Sequence, residues 1–412
     1  MLTSQFRSPT LSALGVLAAG GLTFLAACND TKTAGSLAAA TDPSFAVDTR
    51  TTLDCTKATQ NPAKVVCLAN AFKATLSSAQ IATLQQAYTA SNATRWSNLP
   101  TNLVTRLGVR FADLNATQRA AALNLARAAL STAGYTTFQS LRAADDYLQA
   151  HNTGSTGGGT PPGAGTPPGG GTPRDSGGGP PGGGGPGTGG AGGGLAFGDT
   201  LYYVAFLGAP STTTPWLLKI DGHHVAINLH YHGTQTPTAT PNFLGVEPQV
   251  FTLNGVTYTP LQSRKVAMYT MINSLDATQL AGATLPSSFS DVLLGPGQDG
   301  KFPVHQGLLV SSLSAAQQQL VKNAIEEWVK LQPTVEANDL LAAYEAPSAL
   351  AQTYVGSSGG RDSTKQGSYI RIDGPRVWIE FVCQNGVVFQ NQIHFHTIWR
   401  DRRQDYGGDF TF

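Results

Sequence analysis

The chain has 412 residues, of which only 12% are charged, and its formal net charge is +1 at pH 7. This composition provides neither the positive electrostatic potential that attracts nucleic acid nor a polybasic patch that binds a membrane surface. We therefore exclude nucleic acid as a partner. The length suffices for one large domain or two ordinary ones.

Residues 1–27 have the pattern of a lipoprotein signal peptide. One cation, Arg7, precedes an apolar stretch that ends at Leu25-Ala26-Ala27-Cys28. Cleavage requires small side chains before the cut, and the Cys28 thiol then carries the lipid. The alternative is an uncleaved transmembrane helix, but about 17 residues diluted with Gly and Ala are short for a bilayer core of about 30 Å. We therefore expect an exported protein whose membrane partner is reached through a lipid anchor at the cell envelope, on the periplasmic or outer-membrane side.

The remaining cysteines fit export. Cys55 and Cys67 lie twelve residues apart in a predicted tether over 28–67. An oxidising compartment favours a disulfide between them, and two free thiols are the alternative. Cys383 lies in an apolar strand pattern, where a lone cysteine is usually a small buried hydrophobe.

Residues 152–194 are almost wholly Gly, Pro, Thr and Ser, with no aromatic residue. Such a segment buries too little surface to offset the entropy of ordering, which predicts a disordered linker. It is either an insertion in a surface loop or a boundary between domains.

Four helix starts share a pattern of Leu, a capping residue and a Gln three positions later. They begin at Leu76, Leu114, Leu275 and Leu313, and the two starts of each pair are 38 residues apart. Two further segments, near residues 218–228 and 370–380, each have two strand patterns joined by an Asp-Gly turn. These two segments are 152 residues apart, whereas the corresponding helix starts are 199 residues apart. The difference, 47, is about the length of the Gly/Pro segment, so that segment is predicted to be inserted into the first of two copies. Chance similarity of amphipathic segments is the alternative.

These patterns predict an α+β fold. N-terminal helices precede a mixed or antiparallel sheet with β-hairpins, built as a pseudo-twofold internal duplication. We expect a single domain over 68–412, interrupted by the linker at 152–194.

Several phrases resemble the bacterial domain of unknown function 3500. They are Pro215-Trp216, Ile220-Asp221-Gly222-His223-His224, the run over residues 240–248, the run over residues 394–401 and Asp405-Tyr406-Gly407. The resemblance covers roughly residues 68–412, with the Gly/Pro segment as a departure. It implies that both sides of that segment belong to one domain, and it carries no activity or catalytic residue.

Seven of the eight histidines follow the Gly/Pro segment, and imidazole is both the commonest metal ligand and a general base. Asp221-Gly222 favours a two-residue type I′ turn, which would place His223 and His224 at the start of the second strand. Strand alternation then separates an apolar face from a polar face that carries His224, Asn228, His230 and His232. His223 and His224 are interpreted as candidate catalytic residues or as a hydrogen-bonded turn.

His394 and His396 form an H-x-H pattern on a predicted strand, with both rings on one face. His230 and His232 form another. If the hairpins adjoin, these imidazoles converge on a zinc, copper or iron ion, with three histidines and an open position typical of a catalytic site and four of a closed one. Structural histidines held by backbone or carboxylate groups are the alternative.

Several charged residues follow closely after the C-terminal H-x-H pattern in the sequence. Arg400 is a candidate for holding an anionic group of the substrate, and Asp401 or Asp405 for orienting a histidine. The alternative is that these Arg-Asp pairs only fix a loop.

The leading hypothesis is an extracytoplasmic enzyme that uses a metal ion and acts on an unknown small molecule. Its site would lie where the Asp-Gly-His-His turn approaches the C-terminal H-x-H. The competing hypothesis is a non-catalytic binding or envelope-scaffold lipoprotein.

Overall fold

The computed structural model describes residues 54–58, 61–152, 195–233 and 235–412. The predicted signal peptide, Cys28 and all of the Gly/Pro segment except Asn152 lie outside the described residues. Cys55 and Cys67 form a disulfide. Within these ranges no helix is both long enough and apolar enough to span a bilayer.

Helices dominate the described residues before the Gly/Pro segment. The elements there are α1 (Asn61–Ala74), α2 (Ser78–Leu84), β1 (Gln85–Gln86), α3 (Ala90–Ala93), β2 (Val109–Arg110), α4 (Ala116–Ala129) and α5 (Thr132–His151).

Strands and a second set of helices follow. They are β3 (Tyr203–Leu207), β4 (Trp216–Gly222), β5 (Val225–Tyr231), β6 (Asn242–Val246), β7 (Phe251–Leu253), β8 (Val256–Tyr258), α6 (Gln262–Asn273), α7 (Ala277–Ala283), β9 (Leu308–Leu309), α8 (Ala315–Val329), α9 (Thr334–Tyr344), α10 (Pro347–Leu350), β10 (Tyr354–Ser358), β11 (Tyr369–Asp373), β12 (Val377–Asn385) and β13 (Ile393–Asp401). The α+β prediction is confirmed.

The four predicted capping boxes all form. Ser77, Asn115, Asp276 and Ser314 each accept a hydrogen bond from the amide three residues later, and the Gln there bonds back to the cap amide. The Gln side chains also pair across helices, Gln118 with Gln80 and Gln317 with Gln279. These bonds satisfy N–H groups that a helix start otherwise leaves without partners.

One large sheet runs in the order β1-β3-β4-β5-β6-β13-β12-β11-β10-β9, with β2 also pairing with β3. The β1–β3 pair is parallel and the other pairs of this sheet are antiparallel, so the sheet is mixed. In the middle of this sheet, β6, its last strand before α6, pairs with β13, its last strand after α10. The strand order is therefore mirrored about the β6–β13 pair, and the internal duplication stays a prediction.

Strand alternation gives the sheet two different faces. One face carries Ile220, Ile227 and Ile379 and packs on α1, α4, α5, α6 and α8 in the main core. The other face carries Ala226 and Ile398 and packs on loop residues in a second apolar cluster. The candidate site lies at this second, loop-covered face.

The predicted Asp221-Gly222 turn is wrong by two residues. Gly222 pairs with Val225, so the two loop residues are His223 and His224, and His224 has the left-handed φ of 58°. Gly222 is needed for a different reason: a Cβ there would lie 2.4 Å from the ring of Tyr202. The predicted apolar face is nevertheless correct, because side chains alternate between the faces of a strand and moving the turn by two residues leaves each side chain on the same face.

Candidate metal centre

Three adjacent parts of the sheet bring histidines together. His224 lies in the turn between β4 and β5, where its carbonyl accepts a hydrogen bond of 2.8 Å from the amide of Gly245 in β6. Gly245 in turn faces His396 of β13 in the strand register. The turn of the first hairpin therefore reaches the C-terminal H-x-H across β6.

Gly245 leaves the room that the rings occupy. A Cβ on this residue would lie 2.8 Å from Cδ2 of His224 and 2.9 Å from Cδ2 of His396. A glycine inside a strand often marks such a close approach. The absence of a side chain at position 245 is what lets the two imidazoles converge.

The nitrogens of His224, His394 and His396 have the spacing of metal ligands. One ring nitrogen from each lies within 4.8 Å of the other two. The Nε2 atoms of His394 and His396 are 3.2 Å apart. Two nitrogens bound to one tetrahedral zinc at about 2.0–2.1 Å would be separated by about 3.3 Å.

Asp291 fixes the orientation of one of these rings. Its carboxylate accepts a hydrogen bond of 2.8 Å from Nδ1 of His396. With the proton on Nδ1, Nε2 is left with a lone pair directed at the histidine cluster. In zinc proteins, the ring nitrogen of a histidine ligand that does not bind the metal commonly donates a hydrogen bond to a carboxylate.

Burial keeps two of the rings neutral. The side chains of His224 and His394 are almost wholly inaccessible, and burial, followed by the neighbouring imidazoles, lowers the pKa of each well below its usual value of 6.5. Neutral imidazole is the form that binds metal ions. Both rings are thus available as ligands at neutral pH without losing a proton first.

His223 forms a second unit beside the cluster. Its Nδ1 lies 2.7 Å from a carboxylate oxygen of Asp145, a residue of α5 that is 2% exposed. The His223 ring also stacks on His224, with ring centroids 3.7 Å apart. Because Asp145 occupies Nδ1, Nε2 is the nitrogen of His223 that remains for a molecule beside the cluster.

A cavity of about 280 Å³ opens onto these histidines. Its walls are mainly apolar and include Leu99, Leu103, Phe197, Val292, Leu293 and Val387. Asn98, Gln384 and Glu247 add polar groups, and within the part of the chain that the structure describes the side-chain Nε2 of Gln384 has no hydrogen-bond partner. Among the described residues that line the cavity there is no Lys or Arg.

The second H-x-H does not join this site. His230 and His232 lie at the far end of β5, where they contact Asp409. The prediction that both H-x-H patterns share one ion is corrected: His230 is near the far end of β5 (Val225–Tyr231), whereas His224 lies in the turn just before this strand begins.

Arg400, Asp401 and Asp405 are also kept away from the histidines. Arg400 is fully buried, forms ion pairs with Asp299 and Asp405, and donates to the carbonyls of Leu294 and Gly295. Asp401 pairs with Arg376 and accepts from Tyr344. Instead of facing a substrate, Arg400 anchors the loop that contributes Gly295 and Pro296 to the cavity wall.

Sequence reasoning missed Asp145, Asp291 and Gly245. The two carboxylates come from a helix and a loop with no motif of their own. The one available signal was Gly245, which stands inside the apolar run Phe243-Leu244-Gly245-Val246.

Comparison with known proteins identifies the family. No curated protein and no solved structure gives a significant match. A family profile, described as a protein of unknown function (DUF3500), matches residues 58–408 and so includes every histidine of the site. The chain belongs to the DUF3500 family.

Proposed function

We propose that this chain is a metal-dependent enzyme of the cell envelope, with His224, His394 and His396 as the ligands. The observation that carries the proposal is the convergence of ring nitrogens from three buried histidines, within 4.8 Å of one another, in the lining of a cavity. Of zinc, copper and iron, zinc fits best, since three histidines with a fourth position left for water form a catalytic zinc arrangement.

The reaction class that suits this arrangement is hydrolysis. A zinc ion held by three histidines lowers the pKa of a bound water to about 7 and polarises a carbonyl oxygen. Asp291 holds His396 in the tautomer that binds the ion. His223, held by Asp145, accepts a proton from the attacking water and returns it to the leaving group.

The cavity walls favour a small neutral substrate. The described lining is mainly apolar and has no cationic side chain to pair with a phosphate or carboxylate. The Gln384 amide offers a hydrogen-bond donor to a substrate carbonyl, because its Nε2 has no partner among the described residues.

The envelope location rests on the sequence of residues 1–28. Cleavage before Cys28 and lipidation of its thiol would tether the enzyme to the membrane. Metabolic labelling with a palmitate analogue tests this: the wild-type chain should be labelled and a Cys28→Ser variant should not. Equal labelling of the two would refute the lipid anchor.

The competing function is a non-catalytic binding or scaffold lipoprotein. The distance of 3.2 Å between the Nε2 atoms of His394 and His396 also fits a hydrogen bond between two neutral rings. In that case the histidines stabilise the fold and bind no ion.

Metal analysis of protein purified without a His-tag separates the two functions. We expect at least one equivalent of zinc after equilibrium dialysis, and we expect His394→Ala to lose one equivalent. His305→Ala is the control, because His305 also bonds a carboxylate, Asp373 at 2.7 Å, but belongs to neither group of possible metal ligands found among the described residues. If His394→Ala binds as much zinc as the wild type, the proposed metal centre is refuted.

A further inference from the structure

A second group of ligands lies at the opposite end of β5. His230, His232 and Asp409, here called the C-terminal cluster, place one ligand atom each within 4.8 Å of the other two. Nε2 of His230 is 3.0 Å from Oδ2 of Asp409, and Nδ1 of His232 is 3.9 Å from the same oxygen. The cluster contains no residue of the three-histidine centre.

The end of the chain is folded back to make this contact. Tyr406 and Gly407 both have left-handed φ values, 53° and 83°, and a Cβ on Gly407 would lie 2.1 Å from Nδ1 of His230. Asp409 also accepts a hydrogen bond of 2.7 Å from the hydroxyl of Tyr88. The carboxylate is therefore held from two sides, by a strand histidine and by a tyrosine of the N-terminal part.

We propose that the C-terminal cluster is a second binding site for a divalent transition-metal ion, independent of the three-histidine centre. Two imidazole nitrogens and one carboxylate oxygen form a donor set that suits zinc, nickel or copper. The separation of 3.0 Å between Nε2 of His230 and Oδ2 of Asp409 is the spacing of neighbouring ligands bound at about 2.0–2.1 Å.

The exposure of the cluster decides what kind of site it is. The side chain of His230 is 3% exposed, whereas those of His232 and Asp409 are 32% and 26% exposed. An ion can enter directly from solvent, and it keeps water on its open side. It would also join β5 to the C-terminal turn, so binding stabilises the folded state.

The test uses zinc alone as the probe and the full chain without a His-tag. Equilibrium dialysis followed by elemental analysis should find two equivalents in the wild type and one in His232→Ala. His394→Ala should also retain one equivalent, and the control His305→Ala should retain two. Zinc should raise the Tm of His232→Ala less than that of the wild type.

Each site can fail separately. If His232→Ala binds as much zinc as the wild type, the C-terminal cluster is only a hydrogen-bonded group and the second site is refuted, whatever His394→Ala does. A Tm increase equal to that of the wild type would count against it in the same way. If His232→Ala loses one equivalent of zinc while His394→Ala binds as much zinc as the wild type, the second site is supported and the three-histidine centre is refuted.

Discussion

A methyl group at position 245 tests the three-histidine centre without removing a ligand. In Gly245→Ala the new Cβ would lie 2.8 Å from His224 and 2.9 Å from His396, where ordinary contacts are 3.4–4 Å. The two rings must therefore retreat by about 0.5 Å or more, while metal–ligand distances tolerate about 0.2 Å. We expect zinc affinity to fall by about 10- to 100-fold, which corresponds to about 1.4–2.7 kcal/mol.

Gly356→Ala is the matched control. A Cβ there would lie 2.7 Å from Leu285, so the steric conflict is similar, but no histidine is involved. Overpacking should cost both variants about 1–3 kcal/mol of unfolding free energy. Competition with a chromophoric chelator measures the affinities, and urea unfolding measures the stabilities. If Gly245→Ala binds zinc within threefold of Gly356→Ala, the rings do not converge on an ion and the reasoning fails.

Three further predictions concern the same molecule. Asp291→Asn should weaken zinc binding by about 10- to 100-fold with little loss of stability, and an unchanged affinity in a chelator competition would show that this carboxylate does not orient His396. Removing the Cys55–Cys67 disulfide, whose cysteines are 12 residues apart, should lower the unfolding free energy by about 3 kcal/mol; an unchanged urea midpoint for the double serine variant would contradict this. The metal-free protein should lose stability as the pH falls below about 6.5, because the unfolded chain then protonates His224 and His394 while burial lowers their pKa in the fold. The slope contributed by the two rings is at most about 2.7 kcal/mol per pH unit, and it should be shallower in His394→Ala.

Local patterns predicted the elements well where the physics is local. A capping box needs only residues three positions apart, so Asn115 with Gln118 and Ser314 with Gln317 could be recognised from spacing alone. The apolar face of each hairpin followed from strand alternation for the same reason.

The turn at residues 221–224 shows where local reasoning ends. Asp-Gly is the usual sequence of a tight hairpin turn, yet here both residues are in β4. The glycine instead accommodates the ring of Tyr202, which packs against it from outside the hairpin. A contact of this kind has no signature within the turn itself.

The site was predictable only in part. The alternation of strand side chains placed His394 and His396 on one face, and the leading hypothesis brought them to the Asp-Gly-His-His turn. The choice of His224 over His230 depends on β6 lying between β5 and β13, a pairing between residues about 150 positions apart. Asp145 and Asp291 depend on the same long-range packing.

Anomalous diffraction from crystals grown with zinc tests the central claim most directly. We expect a zinc peak at about 2.0–2.1 Å from one ring nitrogen of each of His224, His394 and His396. A map that shows these three side chains well ordered, with no anomalous peak between them, would contradict the proposed metal centre.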